Sequence, residues 1–303
     1  MTRLDFPTSP PAELATIGDW WRFAFTQLKT AGAEYGQGTL GPADDASFLV
    51  LGALNLPLDA FDSFKAYAVT NSEKVALFEM LKRRCVERVP SAYVLGFTEQ
   101  CGYRFLVNES VLIPRSYLGE LLVKGLSPWL ADRHPNLTVL DLCTGSGCLA
   151  IIAAQELENS LVYASDISAE ALEVAAENID AHDLSDVIEL REGDLFAPWS
   201  DAQFDVIVSN PPYVTDDSME ALPPEFEREP ALALAAGLDG CDVLHRLLAE
   251  APSRLTPNGM LFVDIGHNRF LVEAAFPHLP FTWISTNGTE DGVFMLRAED
   301  FRR

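Results

Sequence analysis

From Leu137 to the end of the chain, short apolar runs alternate with stretches of helical spacing. That alternation limits the possible folds more than any other property of this sequence. Leu137–Cys143 and Leu161–Asp166 read as buried strands. A Gly-rich turn and a helix to about Leu157 follow the first, and a helix over Ser168–His182 follows the second. Val187–Arg191, Phe204–Asn210 and Gly259–Gly266 read as further strands, and Asp242–Leu255 and Asn268–Phe276 as further helices. Phe281–Ser285 and Gly292–Arg297 close the chain as an antiparallel pair. Strands joined by helices in this order form an open, mostly parallel, doubly wound sheet, so the fold class is α/β. Ligands of such sheets bind beyond the carboxyl ends of the strands.

The first 92 residues read as helices. Leu14, Ile17, Trp21, Ala24 and Leu28 recur at spacings of three and four and mark one apolar face. Trp20 and Trp21 are assigned to the core, Trp20 being the one that can face solvent. Gly32 and the Gly36-Gln37-Gly38 loop end that helix, and Pro42 leads into a second over Asp44–Leu54. Thr70-Asn71-Ser72-Glu73 has capping-box spacing and opens a helix with Val75, Phe78, Leu81 and Cys85 inside. Lys82, Arg83, Arg84 and Arg88 read as a solvated face that complements the helix dipole, with contact to RNA or an acidic surface as the alternative. Tyr93–Arg115 has the texture of a hairpin, and Val111–Ser116 leads into a helix near Leu118–Leu126. The expected organisation is a helical domain over 1–92, a hairpin linker over 93–116 and an α/β domain over 117–303.

Asp plus Glu number 45 against 21 Lys plus Arg, a net charge of −24. Such a chain does not grip nucleic acid by bulk charge, so direct binding of duplex DNA is not expected. The five cysteines, 85, 101, 143, 148 and 241, form no Cys-x-x-Cys pair, and His182, His245 and His267 have no ligand spacing. No disulfide framework and no metal are expected. No apolar run approaches the ~18 residues of a membrane span. Met1 to Pro7 contain no apolar signal core, so a cytoplasmic location is expected.

The first strand runs into Asp141-Leu142-Cys143-Thr144-Gly145-Ser146-Gly147-Cys148. Gly145 and Gly147 let a ligand approach the backbone closely. Asp166, nineteen residues after Gly147, stands where a carboxylate accepts both hydroxyls of a ribose. On this element alone a nicotinamide enzyme and a methyltransferase are near equals, and a bare strand-to-helix turn is a third reading. Asp141 favours methyl transfer, because it can receive the ammonium of an amino-acid-bearing cofactor and would repel a pyrophosphate.

The fourth strand ends Ser209-Asn210-Pro211-Pro212-Tyr213. Two prolines cannot continue a central strand, so they stiffen a loop at its carboxyl end. The Asn210 side-chain carbonyl and the Pro211 backbone carbonyl can accept from one planar NH2 group, and Tyr213 can stack on the group that bears it.

This arrangement resembles the Asn-Pro-Pro-Tyr methyltransferases that alkylate amide or exocyclic amine nitrogens with S-adenosylmethionine. Within them it resembles the glutamine methyltransferases of the translation apparatus, which have a helical N-terminal domain, a hairpin and an Ile-Pro-Arg segment, here Ile113-Pro114-Arg115. Tyr35-Gly36-Gln37-Gly38-Thr39, Val111–Ser116, Asp141–Cys148, Pro280-Phe281-Thr282-Trp283 and Asp291-Gly292-Val293-Phe294 look like the branch that modifies a ribosomal protein rather than a release factor. The resemblance implies a seven-stranded Rossmann-like S-adenosylmethionine-dependent methyltransferase domain. It further implies, as substrate, a glutamine of large-subunit ribosomal protein "L three", free or in a ribosome precursor, with S-adenosylhomocysteine as product. Asp141, Cys143, Thr144, Gly145, Ser146, Gly147, Asp166, Asp194, Leu195 and Asn210 would hold the cofactor. Asn210, Pro211, Pro212 and Tyr213 would hold the glutamine and align it for transfer. Arg115 would border the substrate, and would either brace the loop or meet a carboxylate, a structural role standing level with a functional one. Phe226, Glu227, Arg228, Glu229 and Pro230 could form part of the substrate mouth. Cys143, where Gly is common in release-factor enzymes, and the aliphatic Leu195 depart from the most familiar form.

Overall fold

The computed structural model describes residues 6–130 and 136–302, so the N-terminal residues read above for a signal lie partly outside it. The chain divides into two compact units: Met1–Thr98 with Leu222–Arg228, and Glu99–Ala221 with Glu229–Arg303.

The first unit contains α1 (Ile17–Ala31), α2 (Pro42–Ala53), α3 (Phe61–Phe64), α4 (Asn71–Cys85) and α5 (Ser91–Leu95). A capping box formed by Thr16 and Asp19 starts α1, and Gly32, in the left-handed region at φ 59°, ends it. The capping box expected at Thr70 and Glu73 starts α4. The buried face of α1 is Ile17, Trp20, Ala24 and Leu28, so Trp20 is the core tryptophan. Trp21 is only half-buried, and its indole N–H donates to Ser47 Oγ. Both residues fit helical spacing; the indole with a polar partner takes the wetter place.

The inner face of α4 is Leu77, Phe78, Leu81, Arg84 and Cys85, while Val75 is exposed. The stripe is rotated from the expected one because a charged residue belongs to it. Arg84 is 2% exposed and does not stand on a solvated face. Its guanidinium donates to Asp45 Oδ2 (2.8 Å), Glu225 Oε1 (2.8 Å) and Glu34 O (2.7 Å). Arg88 also meets Glu225 and caps the end of α1 by donating to Ala31 O and Gly32 O. Charged side chains are rarely buried unless paired, and the partner here lies 141 residues away in sequence. Burial pushes the Glu225 carboxyl up, but its bonds from Arg88 and Arg84 together hold it below the ordinary range.

Tyr93 lies in α5 rather than in a strand; the hairpin itself is β1 (Phe97–Gln100) with β2 (Tyr103–Leu106). The second unit continues with α6 (Leu118–Val123), β3 (Thr138–Leu142), α7 (Cys148–Glu156), β4 (Leu161–Asp166), α8 (Ala169–Ala181) and β5 (Ile188–Glu192). It ends with β6 (Phe204–Ser209), α9 (Asp216–Glu220), α10 (Asp242–Arg254), β7 (Leu255–Asp264), α11 (Arg269–Ala275), β8 (Thr282–Ile284) and β9 (Val293–Arg297). The seventh strand thus starts at Leu255, before the expected Gly259, with a register shift opposite Phe204 to Val206.

The sheet has seven strands in the order β5-β4-β3-β6-β7-β9-β8. β3 to β7 run parallel, and β9 runs antiparallel between β7 and β8. Val139, Leu140 and Leu142 in β3, and Val206, Ile207 and Val208 in β6, are fully buried, as strands covered by helices on both faces must be. The chain leaves β3 toward β4 and β5, then crosses back to lay β6 on the other side of β3. That reversal opens a crevice at the carboxyl ends of β3, β4 and β6.

Glu225→Ala leaves Arg84 without one of its two carboxylate partners and Arg88 without its only one among the described residues. Stripping one partner from a buried ion network costs ~3–5 kcal/mol. A urea titration followed by helical circular dichroism is expected to show a loss of that order; a change under ~1 kcal/mol would place the pair among weak surface bridges.

Candidate active site

A cleft of about 190 Å³ lies at those strand ends. Its floor is the turn after β3. Gly145 (φ 55°) and Gly147 (φ 81°) both adopt left-handed backbone, which favours glycine. A side chain on Gly147 would press on Ala175 of α8 at 3.3 Å, whereas one on Gly145 would enter open space. Gly147 therefore serves close helix packing, and Gly145 serves the turn.

Cys143 and Leu195 also line the cleft, and both hold left-handed backbone without being glycine, at φ 57° and 47°. Such conformations cost ~1–3 kcal/mol and persist where the surroundings fix them, typically at ligand sites. The surroundings are visible here: Ser165 Oγ donates to Leu195 O, and Ser209 Oγ donates to Leu142 O. Burial holds both loop thiols protonated, raising Cys148 to about 12, which leaves Cys143 and Cys148 as packing groups.

Asp166 ends β4 at the cleft wall. Its Oδ2 accepts from Gly145 N (2.9 Å) and its Oδ1 from Ser168 N (3.0 Å). A carboxylate has about four acceptor positions, so two remain for a diol. Asp194 lies at the other wall and takes a bidentate fork from Arg246 of α10, at 2.6 and 2.8 Å. Ile167, Leu195 and Val243 add apolar surface beside these carboxylates.

Asn210 follows the last residue of β6 and lines the cleft with Pro212. Its Oδ1 is buried and has no hydrogen-bond partner among the described residues. Cys143, Thr144, Gly145, Ser146, Asp166, Asp194, Leu195, Asn210, Pro212 and Arg115 all border this one cleft.

Asp141, Gly147, Pro211 and Tyr213 do not line it. Asp141 is fully buried beneath the loop, where its Oδ2 accepts from Thr144 Oγ1 (2.6 Å) and Ala150 N (3.1 Å). Its Oδ2 thus shapes the loop, while its Oδ1 is buried without a hydrogen-bond partner among the described residues. Tyr213 does not turn its ring to the cleft. The ring packs so closely on Gly266 that a β-carbon there would lie 2.7 Å from it, and the Tyr213 carbonyl accepts from Asn268 Nδ2. Burial raises its phenol above the ordinary range, as does the nearby Asp264. Of the segment 226–230, Phe226 to Arg228 belong to the first unit, and Pro230 lines the cleft.

Arg115 does meet a carboxylate, and it is internal: Glu229, at 2.5 and 2.9 Å. Ile167, Val243 and Arg246 were not assigned roles from sequence, and Glu229 was expected only as part of the substrate mouth. Ile167 had a signal, since it directly follows Asp166; the pairings of Arg246 and Glu229 had none, because their partners lie 52 and 114 residues away.

These residues fit a cationic nucleoside cofactor. The glycine turn gives room for its amino-acid end, Asp166 keeps two lone pairs for a ribose, and the apolar wall suits a flat base. Among the described residues no group of His, Cys, Asp or Glu is arranged to hold a metal, and no helix is long and apolar enough to cross a membrane.

Burial raises the Asp141 carboxyl to about 7. An acid held above its unfolded value near 4 is free of penalty below that value, and its charged form destabilises the fold increasingly as pH rises toward the folded value. Asp141→Asn is neutral throughout. Its melting temperature relative to wild type is therefore expected to be higher at about pH 8 than at about pH 5. An offset that does not change with pH would overturn this assignment.

Residues 120–226, which include the glycine turn, Asp166 and Asn210, match the family model described as methyltransferase small domain. The ribosomal protein uL3 glutamine methyltransferase of Bradyrhizobium diazoefficiens is 45% identical over 295 residues, covering 95% of this chain and 92% of that one. The protein of the same name from Bordetella pertussis is 45% identical over 287 residues, covering 95% and 96%. Among solved structures, the catalytic domain of hMettl16 in complex with the MAT2A 3′UTR hairpin 6 superposes with a TM-score of 0.50 at 14% identity, covering 76% of this chain and 84% of that one, a likeness of fold alone. With such identity along nearly the whole of both chains, this protein belongs to the family of ribosomal protein uL3 glutamine methyltransferases.

Proposed function

We propose that this chain transfers a methyl group from S-adenosylmethionine to the side-chain nitrogen of a glutamine in large-subunit ribosomal protein uL3, in the cytoplasm. The observation that carries this reading is the unpartnered, buried Oδ1 of Asn210 at the cleft of a chain in this family. An acceptor held without a donor is suited to a ligand that brings one, and a primary carboxamide brings two.

When bound, the cofactor supplies a methyl carbon on a sulfonium, which leaves as a neutral thioether and needs no proton. The protein's own residues then have two tasks. The first is alignment. An amide nitrogen is a poor nucleophile because its lone pair is delocalised into the carbonyl, so the gain comes from holding it in line, which is worth up to ~7–11 kcal/mol. Asn210 Oδ1 would accept one N–H of the glutamine; Pro211, expected to accept the other, does not border the cleft and would act by stiffening the corner. The second task is electrostatic. As the N–C bond forms, positive charge grows on the NH2, and a preorganised acceptor stabilises it more than it stabilises the neutral amide. The nitrogen becomes acidic as it is alkylated, so its proton can leave to water after transfer, and no side chain is assigned as a base.

Tyr213 contributes by holding the corner rather than by touching the substrate. Its packing on Gly266 and its bond from Asn268 fix the far side of the Pro-Pro turn. Asp166 would take the ribose, and Asp194 with Leu195 would border the base.

Purified chain, uL3 and labelled cofactor are expected to give one methyl on a glutamine of uL3, located by mass spectrometry; transfer to a release factor in preference to uL3 would overturn the substrate. Asn210→Ala is expected to lower kcat at least ~100-fold with cofactor affinity nearly unchanged. Near-normal turnover in that variant would sink the clamp. Asp166→Ala is expected to weaken cofactor binding first, and calorimetry showing unchanged affinity would remove Asp166 from the ribose.

A further inference from the structure

The wall of the cleft formed by residues 110–116 has no regular secondary structure. Its backbone groups have no ladder to join, yet Ser110, Val111, Leu112, Pro114, Arg115 and Ser116 all border the cleft. Two buried carboxylates hold it. At one end Asp264 Oδ2 accepts from Ser116 Oγ (2.7 Å) and Tyr117 N (2.8 Å). At the other, Glu229 accepts from Ile113 N (3.0 Å) and from both terminal nitrogens of Arg115. Arg115 in turn donates to Ile113 O, so guanidinium, carboxylate and both peptide groups of Ile113 are joined in one set.

Glu229 also leads into a second stretch of the lining. Pro230, Leu232, Ala233 and Ala235 border the same cleft directly after it. One carboxylate, 4% exposed, therefore ties two stretches of the lining that are over a hundred residues apart in sequence. None of its bonds goes to the glycine turn, to Asp166 or to Asp194, the groups suited to a nucleoside.

We propose that Glu229, through Arg115, is a positioning residue that sets the width of the slot beside Asn210 where the target glutamine enters. The inference rests on the proposed protein-glutamine activity. The Arg115–Glu229 staple acts on the protein substrate and leaves the cofactor end alone. Bidentate guanidinium–carboxylate pairs suit this task because two parallel bonds fix an angle as well as a distance.

The test compares wild type, Glu229→Gln, Arg115→Lys and the doubly neutral Arg115→Gln with Glu229→Gln. The last keeps two hydrogen-bonding amides and leaves no unpaired buried charge, so it guards against simple unfolding. Each is assayed for KM and kcat with uL3 and for the dissociation constant of S-adenosylhomocysteine by calorimetry. The expected result is a loss of at least tenfold in kcat/KM toward uL3 in all three, with cofactor affinity within threefold of wild type. Arg115→Lys keeps the charge but not the fork, and a merely electrostatic role would leave it near normal. Wild-type kinetics in the variants would overturn the proposal. So would a parallel loss of cofactor affinity in the doubly neutral variant, since the staple would then hold the whole cleft. A wild-type enzyme that does not methylate uL3 would instead refute the substrate assignment itself.

Discussion

An amide oxygen buried without a donor costs ~1–3 kcal/mol, and a folded protein ordinarily removes that cost by rotating the side chain or admitting water. At Asn210 the backbone on both sides is fixed. Pro211 and Pro212 stiffen the chain that follows it. Ser209 ties the strand end before it to Leu142, and Asn268 holds Tyr213 beyond it. On the proposed function, a ligand amide that meets Asn210 would supply the donor its oxygen lacks among the described residues, from a backbone already in place.

Around that atom, two irregular loops are held by the same device, four carboxylates in all. Asp141 supports the glycine turn through Thr144 and Ala150, and Asp166 supports it through Gly145. Asp264 and Glu229 support the wall over 110–116. A carboxylate suits such places because it accepts up to about four bonds and can serve several peptide N–H groups that have no strand to pair with. Asp141, Asp264 and Glu229 are almost fully buried, and burial raises the pKa of the first two. The acid excess of the chain is thus partly structural rather than wholly a solvated surface.

The parts of the site that were legible in the sequence are those whose chemistry is local. Gly145 and Gly147 announce a turn, Asp166 ends the next strand, and Asn210-Pro211-Pro212 cannot be anything but a rigid corner. Strand and helix order was legible for the same reason, since apolar periodicity is a short-range signal. The failures involve partners far apart in the chain. Arg84 looked solvated because Glu225 is 141 residues away, and its burial turned α4 so that Leu77 replaced Val75 inside. Tyr213 looked like a stacking platform because nothing nearby shows that Gly266 leaves a seat for its ring.

The glycine turn by itself left a nicotinamide dinucleotide and a sulfonium cofactor equally eligible, and the charges of the cleft separate them. Among the described residues Arg115 and Arg246 are the only cations on its lining, and each is held in a bidentate pair, with Glu229 and Asp194. Asp166 makes no ion pair among the described residues and takes only backbone donors. A pyrophosphate would bring two negative charges beside that carboxylate and find both guanidinium groups engaged. A ligand carrying a sulfonium and an ammonium would instead relieve it. Burial raises the pKa of Asp166, so its charged form is costly until a cation or a pair of hydroxyl donors arrives. The electrostatic bias of the cleft and the orphaned acceptor of Asn210 therefore favour the same chemistry: a cation that donates a methyl, and an amide that brings its own hydrogens.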